Sequence, residues 1–254
     1  MLFDTHAHYD DPQFDPDRDE VIRSLPDHRV MLALVPGCEL RTSHEAVRLA
    51  ETYPHLYAAV GCHPQDAHTF RDEDLIEYRK LAKSPKVVAI GEIGLDYYWA
   101  ENPPREVQKE VFRKQMRLAE ELALPVIIHD RDAHQDCLEI VKEFPAVKGV
   151  FHCFSGSVEF SRIILKLGWY LGFDGPITFK NARRNVEAAK EAPLDRLLIE
   201  TDSPYMAPEP FRGQRNDSRK VYRVAEKLAE IKNITIEEAE AATFENGKRL
   251  FRIP

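Results

Sequence analysis

Eight short apolar runs, separated by stretches long enough for a helix, constrain the fold of this chain more than any other feature of its sequence. The runs are rich in β-branched residues and are predicted as strands: Leu2–His6, Val30–Val35, Leu56–Gly61, Lys86–Ile90, Pro125–His129, Gly149–His152, Trp169–Phe173 and Leu197–Glu200. Strands that alternate with helices build a parallel sheet. Continuous runs such as VVAI and PVII indicate strands that are buried on both faces, which suits a closed barrel.

Helical periodicity between the strands supports the same architecture. It is clearest over Pro104–Leu122, and further helices are predicted at Ser157–Leu167, Asn181–Lys190, Arg219–Ile231 and Ile236–Asn246. An open doubly wound sheet is the alternative, but no glycine-rich phosphate loop follows the first strand, which disfavours its dinucleotide-binding version. With 254 residues, 43% of them hydrophobic, the chain is predicted to form a single α/β domain over residues 1–254, a (β/α)₈ TIM barrel.

The charge balance limits how this protein can hold a partner. Lysine and arginine together number 35 against 43 acidic residues, and the formal charge is −8. This balance offers no general attraction for nucleic acid or for an anionic membrane. A polyanionic substrate must therefore be held locally, by metal ions or by a few arginines.

The sequence predicts a cytoplasmic protein with no membrane association. The N-terminal MLFDTHAHYD lacks a basic signal region, and no later segment approaches the roughly 18 to 20 apolar residues of a spanning helix. The cysteines are far apart, form no CxxC pair and are predicted to be reduced: Cys38, Cys62, Cys137 and Cys153. No feature indicates an obligate protein partner.

Side chains that can bind metal recur at the carboxyl ends of the predicted strands: His6, His8, His63, Glu92, His129, His152 and Asp202. In a (β/α)₈ barrel these strand ends meet on one rim, where active sites lie. Residues scattered over most of the chain are therefore predicted to share one pocket. This arrangement is typical of metal-dependent hydrolases.

The first group comprises a histidine pair and a carboxylate. His6 and His8 are two apart on a strand, so they project from one face, with Asp4 below them, and can bind one ion together; an inert pair is the alternative. Glu92 lies between glycines in GEIG, and a buried unpaired carboxylate is costly. A salt bridge would satisfy it, but no basic residue lies in the nearby strands. Its two oxygens can instead bridge two cations.

The second group follows two other strands. His129 and His152 each end an apolar run. One such histidine is usually structural, because a buried ring can bond to the backbone, but two on adjacent strands more naturally share an ion. Asp202 ends the eighth strand, which lies beside the first in a closed barrel. There it can bind the same ion as the histidine pair and accept a proton from the attacking water.

The motifs THAH, GCHP, GEIGLDY, HDRDA, HCFSG, ETDSP and PFRGQRN together resemble the TatD-type deoxyribonucleases, metal-dependent hydrolases with an amidohydrolase-like TIM barrel. The resemblance runs from Leu2 to about Arg252. It implies one ion bound by His6, His8, Glu92 and Asp202. It implies a second ion bound by Glu92, His129 and His152, with Glu92 as the bridge.

The resemblance also implies residues that hold the substrate. His63 corresponds to a histidine that contacts the scissile phosphate, and Arg212 and Arg215 lie in the family's basic loop. Two positions depart from the family's common pattern: Gln65 replaces a histidine and Ser218 replaces a proline. Both departures bear on substrate preference rather than on metal binding.

Several of these residues have a structural alternative. His63 is either a phosphate contact or a cap for the turn at Pro64. Glu200 shares its strand parity with Asp202 and is predicted to orient a metal ligand. The basic residues after the eighth strand form either a phosphate-binding loop or a solvated face: Arg212, Arg215, Arg219, Lys220 and Arg223. Three aromatic residues past Glu92 either stack on a base or form a loop core: Tyr97, Tyr98 and Trp99.

The predicted function is phosphodiester hydrolysis, with DNA cleaved from an end at a site of two divalent cations. Asp202, Glu92 and His63 are the predicted catalytic residues, and the arginines help to hold phosphate. Imidazole ligands suit Zn, Mn, Ni or Fe, and carboxylates with phosphate also admit Mg. One alternative is cleavage of a small amide, ester or lactone, because the same metal cage activates water for carbonyl attack. The other is a nucleic-acid or protein-binding module with a relic site.

Overall fold

The computed structural model describes all 254 residues and contains eight parallel strands that pair in sequence order. Their bounds are β1 Leu2–Asp4, β2 Val30–Pro36, β3 Leu56–Val60, β4 Val87–Asp96, β5 Val126–Arg131, β6 Gly149–Phe151, β7 Tyr170–Phe173 and β8 Leu197–Ile199. Backbone hydrogen bonds connect the last strand to the first, from Thr5 N to Ile199 O (3.1 Å) and from Asp202 N to His6 O (2.9 Å). The predicted (β/α)₈ barrel is confirmed.

Nine α-helices surround or cap the strands. They are α1 Arg18–Ser24, α2 Leu40–Thr52, α3 Asp74–Leu81, α4 Arg105–Leu122, α5 His134–Glu143, α6 Val158–Lys166, α7 Arg183–Glu191, α8 Tyr222–Lys232 and α9 Ile236–Phe251. Helix α9 begins with a capping box, in which Thr235 and Glu238 bond each other's backbone N–H groups. None of these helices has the length and apolar character that a membrane span requires.

Strand β4 differs from its sequence prediction. It continues to Asp96, well past the predicted end at Ile90, so Glu92 lies within the strand. The pairing with β5 is irregular between Ile90 and Ile93, where the Glu92 N–H donates to Gly37 O (2.9 Å) on the opposite side. Polar and glycine residues interrupt the apolar run at this point, which is why the pattern alone predicted a shorter strand.

Helix α9 closes the amino-terminal end of the barrel. Phe3 of β1 lies inside the barrel, with its ring centroid 6.4 Å from that of Phe244 and 6.1 Å from that of Phe251. Gly247 gives the helix room to approach, because a Cβ there would lie 2.5 Å from the Phe3 ring. Apolar packing fills this end, so the polar site can form only at the opposite, carboxyl-terminal end of the strands.

Candidate metal centre

A cavity of about 550 Å³ opens at the carboxyl-terminal ends of the strands. Six of the seven metal-capable residues predicted from the sequence line it: His8, His63, Glu92, His129, His152 and Asp202. His6, the seventh, is fully buried behind this surface. The structure therefore brings all seven together around one space.

The first cluster joins the two ends of the chain. His6 Nε2 lies 3.1 Å from His8 Nε2, 3.2 Å from Glu92 Oε2 and 3.6 Å from Asp202 Oδ1. His8 Nε2 lies 3.7 Å from Glu92 Oε2 and 3.4 Å from Asp202 Oδ1. The His8 N–H donates to Ser203 O (2.7 Å), which keeps the segments after β1 and β8 side by side.

The spacing of this cluster fits one divalent cation. Nitrogen and oxygen ligands at about 2.0 to 2.1 Å from a tetrahedral ion are about 3.3 Å from each other. The five separations given above, 3.1 to 3.7 Å, bracket that value. Imidazole nitrogens and carboxylate oxygens, converging in a buried pocket, are the donors that zinc, manganese and nickel accept.

The second cluster uses the other oxygen of Glu92. Glu92 Oε1 lies 2.7 Å from His129 Nδ1, 2.8 Å from His152 Nε2 and 3.6 Å from His63 Nε2. The Nδ1 of His129 and the Nε2 of His152 are 3.4 Å apart. One carboxylate therefore faces imidazoles with each of its oxygens, as a bridging ligand must. The two groups adjoin, because the His6 and His152 rings stack with their centroids 4.1 Å apart.

His63 caps the turn at Pro64, which is one of the two interpretations offered by the sequence. Its Nδ1 accepts the Gln65 N–H (3.2 Å) and so caps the short helical turn Pro64–Asp66. Because Nδ1 is an acceptor, the ring proton is placed on Nε2, which faces Glu92 in the cavity. The turn orients the imidazole, and its contact with a phosphate stays a prediction.

Buried carboxylates hold the ligands from behind. Glu200 is fully buried, lies 3.5 Å from His152 Nδ1 and accepts the Thr5 hydroxyl (3.4 Å), a position that fits the predicted orienting role. Asp96, at the end of β4, lies 3.1 Å from His129 Nε2 through Oδ2, which also accepts the Gln65 side-chain amide (3.2 Å). The sequence analysis missed Asp96, although its parity matches that of Glu92.

The electrostatics of the metal-free cluster favour ionised carboxylates, but they do not make every imidazole neutral. Burial opposes ionisation of Glu92, yet the neighbouring imidazoles, His152 foremost, outweigh it and hold the pKa of Glu92 well below its ordinary value. Burial likewise opposes the charged form of His8, His129 and His152, but their acidic neighbours raise the pKa of each above its ordinary value. Burial and the neighbouring His129 lower the pKa of His63 to about 3, so its ring is neutral at pH 7. Burial also opposes ionisation of Asp202, yet the hydrogen bond from His8 lowers its pKa. The ionised carboxylates are therefore ready ligands, whereas a bound cation must displace protons from His8, His129 and His152.

The predicted phosphate-binding arginines do not line this cavity. Arg215 forms two hydrogen bonds to Asp17 (2.8 and 2.6 Å), and its guanidinium lies 4.8 Å from the centroid of the Phe14 ring. Arg212 lies over Phe179, with 4.4 Å between the guanidinium carbon and the ring centroid. The geometry gives their predicted contact with phosphate no support, because internal partners already occupy both side chains.

The rest of the basic loop is also paired internally. Arg219 and Lys220 both bind Asp217, at 2.8 and 2.9 Å. The cationic side chains that do line the cavity are Arg41 and Arg131. The basic residues after β8 are therefore better described as a solvated face than as a phosphate-binding loop.

Comparison with known proteins agrees with this site. The family model described as TatD related DNase matches residues 3–252. This chain belongs to the TatD-related DNase family. It is 50% identical to the uncharacterized metal-dependent hydrolase YabD of Bacillus subtilis, over the full length of both chains. It is 37% identical to the 3'-5' ssDNA/RNA exonuclease TatD of Cronobacter turicensis, covering 98% of this chain and 97% of that one.

Solved structures show the same relationship. The crystal structure of YjjV, a TatD homologue from Escherichia coli K12, has a TM-score of 0.94 and 33% identity, and covers 100% of this chain and 98% of its own. A lactonase variant from Deinococcus radiodurans, with a TM-score of 0.65 and 16% identity, shares the fold alone. The TatD-family chain is accordingly a metal-dependent hydrolase, with several histidine and carboxylate groups able to hold its metal.

Proposed function

We propose that this TatD-family hydrolase cleaves phosphodiester bonds of single-stranded DNA from an end, using two divalent cations. The observation that carries the proposal is Glu92, whose two oxygens each face a group of imidazoles. Sites with two cations about 3.5 to 4 Å apart are typical of enzymes that displace at phosphorus. The family relationship and the exonuclease from Cronobacter turicensis support the same substrate class.

The proposal keeps the division of ligands between two ions that the family resemblance implies. His6, His8, Glu92 and Asp202 would hold one cation. Glu92, His129 and His152 would hold the other. Divalent cations bound there supply Lewis-acid polarisation of a phosphoryl oxygen and a nucleophilic water at neutral pH.

The chain's own groups position the substrate and move the proton. Asp202 is ionised and 14% exposed, on the cavity side of the first cluster, so it can accept the proton of the attacking water. His63 presents a neutral N–H toward the cavity and donates to a phosphate oxygen. The buried carboxylate of Glu200 keeps the His152 ring in place. Each role uses an orientation already present in the free protein.

The alternative of carbonyl hydrolysis has weaker support. It rests on a fold shared with a lactonase at 16% identity, and a fold alone does not determine the reaction. No lysine lines the cavity to serve as a bridging ligand in place of Glu92. This alternative remains useful as a distinct outcome of the test.

The test uses protein stripped of metal and reconstituted separately with Mg, Mn, Zn or Ni. The substrates are single-stranded DNA labelled at either end, the same sequence in RNA, bis(p-nitrophenyl) phosphate and a panel of lactones. Glu92→Gln removes the bridging charge, and Glu245→Gln, an exposed glutamate on α9, is the matched control. We expect progressive shortening of DNA by wild type and Glu245→Gln, and none by Glu92→Gln. Turnover of a lactone with intact DNA would overturn the proposal.

A further inference from the structure

One wall of the cavity carries large aromatic side chains that no neighbouring residue covers. Trp99 is 49% exposed and Tyr98 is 50% exposed, on the loop that follows β4. Their rings meet edge to face, with centroids 4.7 Å apart at 89°. The loop-core alternative for these two residues is therefore wrong. Trp99 lines the same cavity as Glu92 and His129.

An unpaired cation completes this wall. Arg131, at the end of β5, lies with its guanidinium carbon 4.4 Å from the centroid of the Tyr98 ring and lines the cavity. It forms no ion pair, whereas Arg41, the other cation of the cavity, binds Glu39 (3.1 Å). We define the stacking wall as Tyr98, Trp99 and Arg131.

The stacking wall is held in a fixed position beside the metal centre. The Tyr98 N–H donates to Asp96 Oδ1 (3.0 Å), and the Asn102 side chain donates to Asp96 O (3.1 Å). Asp96 also lies 3.1 Å from His129 Nε2. The buried carboxylate of Asp96 therefore contacts both His129, a proposed metal ligand, and the start of the loop that carries Tyr98 and Trp99.

The charges around the cavity favour this wall for a polyanion. Asp10, Asp11 and Asp66 also line the cavity, and Tyr205 donates its hydroxyl to Asp11 (2.6 Å). Phosphate groups are repelled from these carboxylates and attracted to Arg131. A nucleotide whose phosphate lies at the metal centre thus has its base directed toward the aromatic side chains.

We propose that the stacking wall is a subsite for one unpaired nucleobase next to the scissile phosphate, with Trp99 stacking on the base and Arg131 contacting the backbone. The subsite rests on the proposed nuclease function and deepens it. Both faces of a base are covered inside a duplex, so only an unpaired base can stack on protein. The subsite therefore selects single strands, without preference for a particular base, because every base has a π-face.

Hydrolysis of oligonucleotides that lack single bases tests the subsite. One stable abasic residue is moved position by position along a short oligothymidylate, and the kcat and KM of the reconstituted enzyme are measured for each. Removal of the base in the subsite is expected to raise KM roughly 5- to 150-fold, the range for one stacked base. Trp99→Leu is expected to raise KM for the complete strand by the same factor as removal of that base. For the strand that lacks the base, Trp99→Leu is expected to cause no further rise in KM.

Further variants separate stacking from structural and ionic effects. Trp99→Phe keeps an aromatic face and is expected to restore most of the affinity. Ile76→Ala, at an exposed apolar residue on α3, is the matched control. Arg131→Gln is expected to raise KM for complete and abasic strands alike and to reduce the salt dependence of KM. Ile76→Ala is expected to match wild type on complete and abasic strands alike.

Fluorescence supplies a readout that does not depend on hydrolysis. The chain has two tryptophans, and Trp169 is buried with 1% exposure, so quenching by added oligonucleotide reports on Trp99. A phosphorothioate oligothymidylate is expected to quench the tryptophan fluorescence of the wild-type protein. The same strand without any bases is expected to leave that fluorescence unchanged. Equal KM values for complete and abasic strands, or no quenching, overturn the subsite while leaving the nuclease function intact. Failure to cleave any phosphodiester overturns both.

Discussion

Replacing Asp4 by alanine is expected to destabilise the protein and to loosen the junction between its first and last strands. Asp4 is fully buried at the end of β1. Its Oδ1 accepts the N–H of His6 (3.2 Å) and of Thr201 (2.9 Å), and its Oδ2 accepts the Thr201 hydroxyl (2.6 Å). Thr201 directly precedes Asp202, so this one carboxylate ties together segments that carry two ligands of the same proposed ion.

The magnitude follows from the groups that lose their acceptor. Alanine leaves two buried N–H donors unsatisfied, while the Thr201 hydroxyl retains Ser203 as a neighbour at 2.9 Å. An unsatisfied buried donor costs about 1 to 3 kcal/mol, so the free energy of unfolding is expected to fall by about 2 to 6 kcal/mol. For a chain of this size the melting temperature falls by roughly 5 to 20 °C. Asp4→Asn keeps an oxygen for both N–H groups and costs far less.

The two variants also separate hydrogen bonding from charge. Burial raises the pKa of Asp4 from 3.8 to about 7, and its hydrogen bonds only partly oppose that rise. Between those values the folded protein binds a proton that the unfolded chain has released, so stability falls as pH increases through this window. Asp4→Asn cannot ionise and lacks this decrease. Its stability relative to wild type is therefore expected to improve by a few kcal/mol from about pH 4 to about pH 7, at about 1.4 kcal/mol for each unit.

The measurement is chemical and thermal unfolding of metal-free protein across that pH range. Asp27→Ala, at an exposed aspartate without a side-chain hydrogen bond, is the matched control and is expected to match wild type. An Asp4→Ala variant that melts within about 2 °C of wild type would refute the assigned hydrogen bonds. A difference between wild type and Asp4→Asn that does not change with pH would refute the assigned pKa.

Three further outcomes test other parts of the structure. Arg215→Ala is expected to leave KM for DNA unchanged and to lower stability, because Arg215 binds Asp17 outside the cavity. That hydrogen bond lowers the pKa of Asp17, so the loss of stability is expected to be complete above the ordinary carboxyl pKa and to disappear as pH falls through the lowered pKa. A several-fold rise in KM would instead show that Arg215 contacts the substrate. Gly172→Ala would place a Cβ 2.5 Å from Glu200 Oε2 and so displace the carboxylate behind His152. Titration calorimetry is therefore expected to show metal affinity reduced 10- to 100-fold. Unchanged affinity would contradict the role of Glu200. Bound metal, measured by elemental analysis, is expected to fall as pH drops, because only neutral imidazole binds. Burial opposes protonation of His8 and His152, but acidic neighbours raise the pKa of both well above the ordinary value of about 6.5, so the loss of metal is expected to begin above that pH. Full occupancy at about pH 4.5 would argue against histidine ligands.

The sequence predicted most of the barrel because its strands are locally encoded. The run predicted at Val30–Val35 is β2, Val30–Pro36, since a strand buried on both faces is apolar throughout. Strand β4 was predicted too short because Glu92 and its glycines interrupt the apolar pattern, while pairing with β5 resumes at Ile93. Tertiary hydrogen bonds, which a local pattern does not contain, extend the strand to Asp96.

The same division between local and distant interactions applies to the site. The metal-capable residues were predictable because the barrel places every strand end on one rim, whatever the sequence separation. The ion pair of Arg215 could not be predicted, because its partner Asp17 lies 198 positions earlier and only the folded chain brings them together. Asp96 follows Glu92 by four residues on one strand, so its position in the site would have followed from the full length of β4.

The metal cage by itself does not select a substrate. Cations held by histidines and carboxylates activate water equally well for attack on a carbonyl or on phosphorus. Selection must come from groups that contact the substrate beyond the reacting atoms, and here these are His63, Arg131 and Trp99, all on the β3 to β5 side of the cavity. A lactone offers neither an anion for Arg131 nor a flat base for Trp99. Under the proposed function, phosphodiester specificity is therefore a property of these three residues, and it can change without any change in the metal ligands.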